Sequence, residues 1–168
     1  MQLKVNKYNC KNFISHRGNL NGRQPDRENT LDYIKEALSK DYQVEIDVRY
    51  NAGDNLWYLG HDSADNVLPI DFVMENCKRL WVHAKDATTF KKLQEDPNLR
   101  FYCNFFFHTD EEYIFTSKSF VWVYPGASLI RGCVAVMPEI SDYDLQDIED
   151  LCSGICSDNI EMYRGKLC

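Results

Sequence analysis

The chain has 168 residues, enough for one domain with a sizeable core. Its composition, 44% apolar and 27% charged with 10 Tyr, 9 Phe and 3 Trp, excludes long disorder and is ordinary for a globular protein. A net charge of −7 without a basic stripe argues against nucleic-acid binding, but leaves room for a small phosphorylated ligand held by a few local cations.

The opening Met1-Gln2-Leu3-Lys4-Val5 lacks the apolar run of a signal peptide, and no stretch approaches the roughly 20 apolar residues that span a bilayer. The expected setting is cytoplasmic. Seven cysteines (Cys10, Cys77, Cys103, Cys133, Cys152, Cys156 and Cys168) form no Cys-x-x-Cys, and several lie in strand-like runs. They read as buried free thiols rather than zinc ligands or a disulfide framework. Their odd number leaves the oligomeric state open.

Asn12 to Ser15 predicts a short strand stopped at His16-Arg17-Gly18, and the polar stretch 19–27 predicts a loop. Asn29 or Thr30 can cap a helix with Asp32 in its first turn and Leu31, Ile34 and Leu38 on one face. Val44-Glu45-Ile46-Asp47-Val48 alternates strictly, so Glu45 and Asp47 share one side of a strand. A solvated edge would show the same pattern. In a βαβ rhythm the strand is buried on both faces, and its carboxylates then need a cationic partner. A turn over 51–55 leads to an extended segment over 56–59 and then to His61.

A short helix is expected between Leu68 and Cys77 and a strand over Leu80–Ala84. Asp86 then caps a helix over 87–94. Phe101–Phe107 is strongly β-like. Phe120–Val123 and Cys133–Met137 follow, each stopped by a proline within two residues. Ser141 and Asp144 resemble a capping box for a helix with Leu145, Ile148 and Leu151 or Cys152 inward. Gly154–Ser157 is a last strand, and 159–168 is a polar tail. About seven strands alternating with helices predict one α/β domain over 1–168 with a mostly parallel sheet. A full (β/α)₈ barrel takes about 250 residues, and 123–133 has no room for a helical crossover of about 10–12 residues. A compact, trimmed TIM-type barrel, with some outer helices replaced by loops, is therefore expected.

His16-Arg17-Gly18, Glu28-Asn29-Thr30, Glu45-Ile46-Asp47-Val48 and Gly60-His61-Asp62, in this order, resemble the glycerophosphodiester phosphodiesterase family of the phospholipase-C-like barrel superfamily. The match covers roughly the first 62 residues well. The resemblance implies that His16 and His61 are an acid–base pair and that Glu45 and Asp47 hold a divalent cation, usually Mg²⁺ or Ca²⁺. It implies that Arg17 binds phosphate or braces the site, with Glu28 as a supporting carboxylate. On the third strand the family has Glu-x-Lys, whereas this chain has Val82-His83-Ala84-Lys85. Lys85 is kept to face the phosphate, and His83 stands in the carboxylate's place, where an imidazole suits Mn²⁺ or Zn²⁺ better.

Trp122 and Tyr124 share one strand face and are candidates for a head-group pocket, with core packing as the alternative. Glu139 is either a replacement carboxylate or a surface residue. Asp158 resembles the family's terminal aspartate, and His108 is expected on a loop or the surface. The implied activity is metal-dependent hydrolysis of a small phosphodiester by two histidines, by way of a cyclic phosphate. The alternatives are a lyase that releases that cyclic product, and an altered barrel that binds a phosphorylated ligand or a protein partner.

Overall fold

Strand β1 (Asn12–His16) opens the computed structural model, which describes residues 11–168. Cys10 and the Met1–Val5 leader reading lie outside the described residues. Helix α1 (Leu31–Ser39) starts where Thr30 Oγ1 accepts the Tyr33 amide, and it buries Tyr33, Ile34, Ala37 and Leu38 against the sheet. Strand β2 (Gln43–Asn51) buries Val44 through Val48 without a break, which settles the alternation in favour of a strand covered on both faces. The hairpin strands β3 (Leu56–Leu59) and β4 (Asn66–Val67) precede α2 (Ile70–Glu75), and β5 (Leu80–Ala84) is buried throughout. Asp86 Oδ1 accepts the Thr89 amide at 2.7 Å and opens α3 (Ala87–Glu95) as expected.

The run from Phe101 departs from its β-like composition. Asp96 caps and Pro97 begins α4 (Pro97–Tyr102), which leaves only β6 (Asn104–Phe106) extended. A proline at the first helical position behind a good cap outweighs the β propensity of Phe101 and Tyr102. Strand β7 (Tyr113–Phe115) was not evident in the sequence, and β8 (Val121–Val123) and β9 (Cys133–Val136) follow it. The expected capping box fails. Asp144 makes no side-chain cap bond to α5 (Leu145–Leu151), and Ser141 Oγ instead accepts the Gly126 amide at 3.0 Å. After β10 (Cys152–Ser157) the polar tail forms α6 (Ile160–Leu167), anchored by buried Ile160 and Tyr163.

Seven strands lie parallel in the order β6-β5-β2-β1-β10-β9-β8. Strand β7 pairs antiparallel with β8, and β3 pairs antiparallel with the far end of β2. Side chains from both ends of this order meet inside the curl, where Ile14, Trp81, Phe106, Ile114, Trp122, Val134 and Cys156 form an inner cluster. A larger core lies outside, between sheet and helices. The fold is thus mixed α/β with a curled sheet.

It is not a closed barrel, because no ladder joins β6 to β7 among the described residues. Ser117 carries backbone hydrogen bonds across that seam, and Lys118 Nζ adds a bond to Phe101 O. The Ser117 amide donates to Phe105 O at 2.8 Å, its Oγ accepts the Phe105 amide at 3.0 Å, and its Oγ donates to Cys103 O at 3.1 Å. The helix missing between β8 and β9 is the trimming expected from the short 123–133 segment. No helix among the described residues is long and apolar enough to cross a membrane.

Candidate active site

The sequence has four histidines, and all of them line one cavity of about 390 Å³ at the carboxyl ends of the parallel strands. His16, Arg17, Glu45, His61, His83, Lys85, Trp122 and Tyr124 all reach it. Asp47 lies behind, fully buried, and Glu28 stands behind Arg17.

His16 ends β1. Its Nδ1 lies 2.8 Å from Asp158 Oδ1, which fixes the ring and leaves Nε2 3.9 Å from Glu45 Oε2. Burial works against the charged imidazole, but the Asp158 hydrogen bond and the Glu45 charge outweigh it, so the pKa of His16 is raised. Asp158 is correspondingly low. Burial raises it, but His16 and Asn19 more than compensate. Asn19, whose role the sequence did not suggest, donates Nδ2 to both Asp158 Oδ1 (2.7 Å) and Glu28 Oε1 (3.0 Å).

Just past β1 the chain turns through Arg17 at φ +56° and Gly18 at φ +96°, where a Cβ would lie 2.8 Å from the Tyr33 ring. The turn aims Arg17 Nε at Asp47 Oδ2 (2.9 Å) and Nη1 at Glu28 Oε2 (3.3 Å). Asn29, also left-handed at φ +56°, donates Nδ2 to Asp47 Oδ2 (2.9 Å) and accepts the Asp47 amide at 3.0 Å. The Glu28-Asn29-Thr30 motif thus does three jobs, since Glu28 holds Arg17, Asn29 holds Asp47 and Thr30 caps α1. Lys85 Nζ and His83 Nδ1 approach Asp47 Oδ1 at 3.3 and 3.2 Å. Burial opposes ionisation of Asp47, but His83, Arg17 and Lys85 hold its carboxyl well below the usual range. His83 is raised in turn, because the two carboxylates outweigh its burial.

Glu45 is different. It is 2% exposed, and among the described residues only His16 and His83 (3.5 Å) come within ion-pair distance. Glu45 Oε2 and Asp47 Oδ1 are buried without a well-formed hydrogen bond. Glu45, Asp47 and His83 each offer one ligand atom, all within 4.8 Å of one another, a set able to hold a metal ion. A buried carboxylate lacking a permanent counter-charge is costly unless a cation joins it, so the site fits the group.

His61 sits higher and is 42% exposed, with Nδ1 2.8 Å from Asp62 Oδ1. Its loop is held by Arg49, which donates to Gly60 O (3.3 Å) and His61 O (2.5 Å) rather than to the central carboxylates. Gly60 adopts φ +150°, and a Cβ there would lie 2.0 Å from Ser63 O. Gly60→Ala is therefore expected to cost about 1–3 kcal/mol, read as a lower urea midpoint, and to displace His61.

Among the residues past β6, His108 lies on a loop, as one of its two readings had it, but lines the cavity instead of facing open solvent. Its ring stacks on His83 at 4.6 Å, and Phe106, two residues earlier, also stacks on His83 at 4.9 Å. Burial and the His83 charge lower its pKa. Trp122 is 4% exposed and packs on Trp81 and Phe106 as the cavity floor, whereas Tyr124 stands at the rim. Glu139 supplies no carboxylate to the Glu45–Asp47 cluster. It accepts Ser157 Oγ (2.8 Å) and the Asp158 amide (2.9 Å), and so braces the strand end that orients His16.

No protein-family model and no curated protein matches the chain. Among solved structures, it is similar to the crystal structure of a glycerophosphoryl diester phosphodiesterase from Parabacteroides distasonis, with a TM-score of 0.53. The match covers 92% of this chain and 86% of that one at 14% identity, a likeness of fold.

Proposed function

We propose that the chain is a phosphodiesterase of small phosphodiesters, and that it works as a single domain. The observation that carries this reading is the convergence of His16, His61, Arg17 and Lys85 around the Glu45–Asp47–His83 cluster in one cavity. The phosphodiesterase fold of the structural neighbour supports it. Two cations beside the cavity suit one phosphate group rather than a polymer backbone.

In this reading Arg17 and Lys85 neutralise the non-bridging oxygens. His61 takes the proton of a hydroxyl adjacent to the phosphate, and that oxygen forms a new bond to phosphorus. The bond from phosphorus to the departing alcohol breaks, and His16 donates its Nε2 proton to the leaving oxygen. The product is a cyclic phosphate, which is hydrolysed in a second step or released. Glu45, Asp47 and His83 would hold a divalent ion, and that ion supplies Lewis-acid stabilisation of phosphate charge when bound. The resemblance favours Mg²⁺ or Ca²⁺, while the His83 nitrogen favours Mn²⁺ or Zn²⁺.

The test is a screen of glycerophosphodiesters against these four metals, with EDTA controls and analysis of products. Turnover that EDTA abolishes and one metal restores is expected. The same metal should raise the melting temperature, by about 2.7 kcal/mol of stabilisation at a hundredfold excess over its Kd. Absence of turnover with every metal would overturn the reading in favour of a binding protein, and a cyclic end product would identify a lyase.

A further inference from the structure

The cavity has two unlike halves. The ends of β1, β2 and β5 contribute His16, Arg17, Glu45, His83 and Lys85, which carry its charge. The ends of β8 and β9 contribute Trp122, Tyr124, Pro125, Val136, Met137 and Ile140, with no charged group among them. We propose, building on the phosphodiesterase reading, that this second wall is the subsite for an apolar arm of the diester, an alkyl or acyl chain rather than a hydroxylated or charged head group.

Two observations point to an occupant. First, large apolar side chains face solvent where the wall meets the cavity mouth, with Ile140 68% and Tyr124 52% exposed. Single exposed apolar residues are common, but these line the same cavity as Pro125 and Met137, beside the charged half. Second, the backbone is constrained to present them. Met137 takes a left-handed conformation at φ +47°, unfavourable for a residue with a side chain, and turns the chain from β9 directly into the short 3₁₀ segment Pro138–Ile140.

That segment is pinned by the Met137 amide donating to Cys156 O (2.7 Å) and by Glu139 accepting from Ser157 Oγ and the Asp158 amide. Ile140 is thus held over the cavity by the residues that also orient His16. Beyond the Tyr124 hydroxyl and the Trp122 indole, the side chains of this wall offer a polar head group no hydrogen-bond partner for the water it would lose, whereas an alkyl chain would gain burial.

The test uses glycerol phosphodiesters whose second arm is methyl, butyl or hexyl, so the reacting half is constant. Full burial of a methylene is worth about a fourfold gain, and against this half-open wall kcat/KM is expected to rise about twofold per methylene. Ile140→Asp, at an exposed position, is expected to collapse the hexyl-to-methyl ratio towards one. A flat series in the wild type, or an unchanged ratio in the variant, would overturn the proposal. If no diester turns over, calorimetric Kd values for the same three compounds decide the matter. A chain-length dependence sustains the subsite though the phosphodiesterase reading falls, and a flat series removes both.

Discussion

His16→Ala will lower phosphodiester turnover by about 10²–10⁴-fold, the usual contribution of a positioned acid, with KM changed far less than kcat. The expectation rests on a ring whose Nδ1 is tied to Asp158 at 2.8 Å and whose other nitrogen faces the cavity. Turnover within threefold of wild type in a folded variant would remove His16 from the mechanism. Asp158 is a positioning residue with its own signature. Because its hydrogen bond helps to raise the His16 pKa, Asp158→Asn should shift the alkaline limb of the kcat profile to lower pH.

The same pair makes a signed prediction for stability. The contribution of His16 is complete below its unfolded pKa, about 6.5, and is lost as pH rises through its raised folded value. The contribution of Asp158 is present above about 3.9 and is lost as pH falls through its depressed folded value. Both are in force between about pH 4 and 6.5, and there His16→Ala should cost most stability.

Asp47→Ala will destabilise the fold by about 3–5 kcal/mol, the range for breaking a buried ion pair on one side. Asp47 is fully buried and accepts from Asn29 at 2.9 Å, with Arg17 Nε, His83 Nδ1 and Lys85 Nζ all within 3.3 Å. Without it Arg17 and Lys85, joined by His83 when that ring is protonated, are left without their shared carboxylate. The urea midpoint should fall accordingly, and the metal-induced rise in melting temperature should disappear with it. A midpoint unchanged within error would mean that the cations relax outward and that Asp47 is not the electrostatic centre of the site. Because the folded pKa of Asp47 is depressed, its stabilisation is present at neutral pH and is lost only on acidification.

Local pattern revealed the half of the site that local pattern determines. Alternation put Glu45 and Asp47 on one face of a strand; Glu45 lines the cavity with Asp47 behind it, and β2, flanked by β1 and β5, is buried from Val44 to Val48. The His-Arg-Gly stop after β1 marked the turn that aims Arg17. His108 was illegible for the opposite reason. Its neighbours His83 and Tyr124 belong to distant segments and meet it only once the sheet curls.

Arg49 lies on the same strand as the two carboxylates. Its strand position sends it to the carbonyls of Gly60 and His61, a contact that depends on the β2–β3 hairpin. In the Phe101 region composition misled, since a single capped proline was enough to make a helix there. The aromatic pair at β8 divided between the two readings, with Trp122 as floor and Tyr124 as rim.

The seam between β6 and β7 has a bearing on motion. His108 follows one of these edges, Tyr124 follows the strand paired to the other, and their rings stand 6.2 Å apart across the gap. A ladder would lock that spacing through many backbone bonds, but here Ser117 and Lys118 supply the stitching. The cavity can therefore breathe by opening along one line without unzipping a strand, and amide exchange should be fastest there among the inner strands.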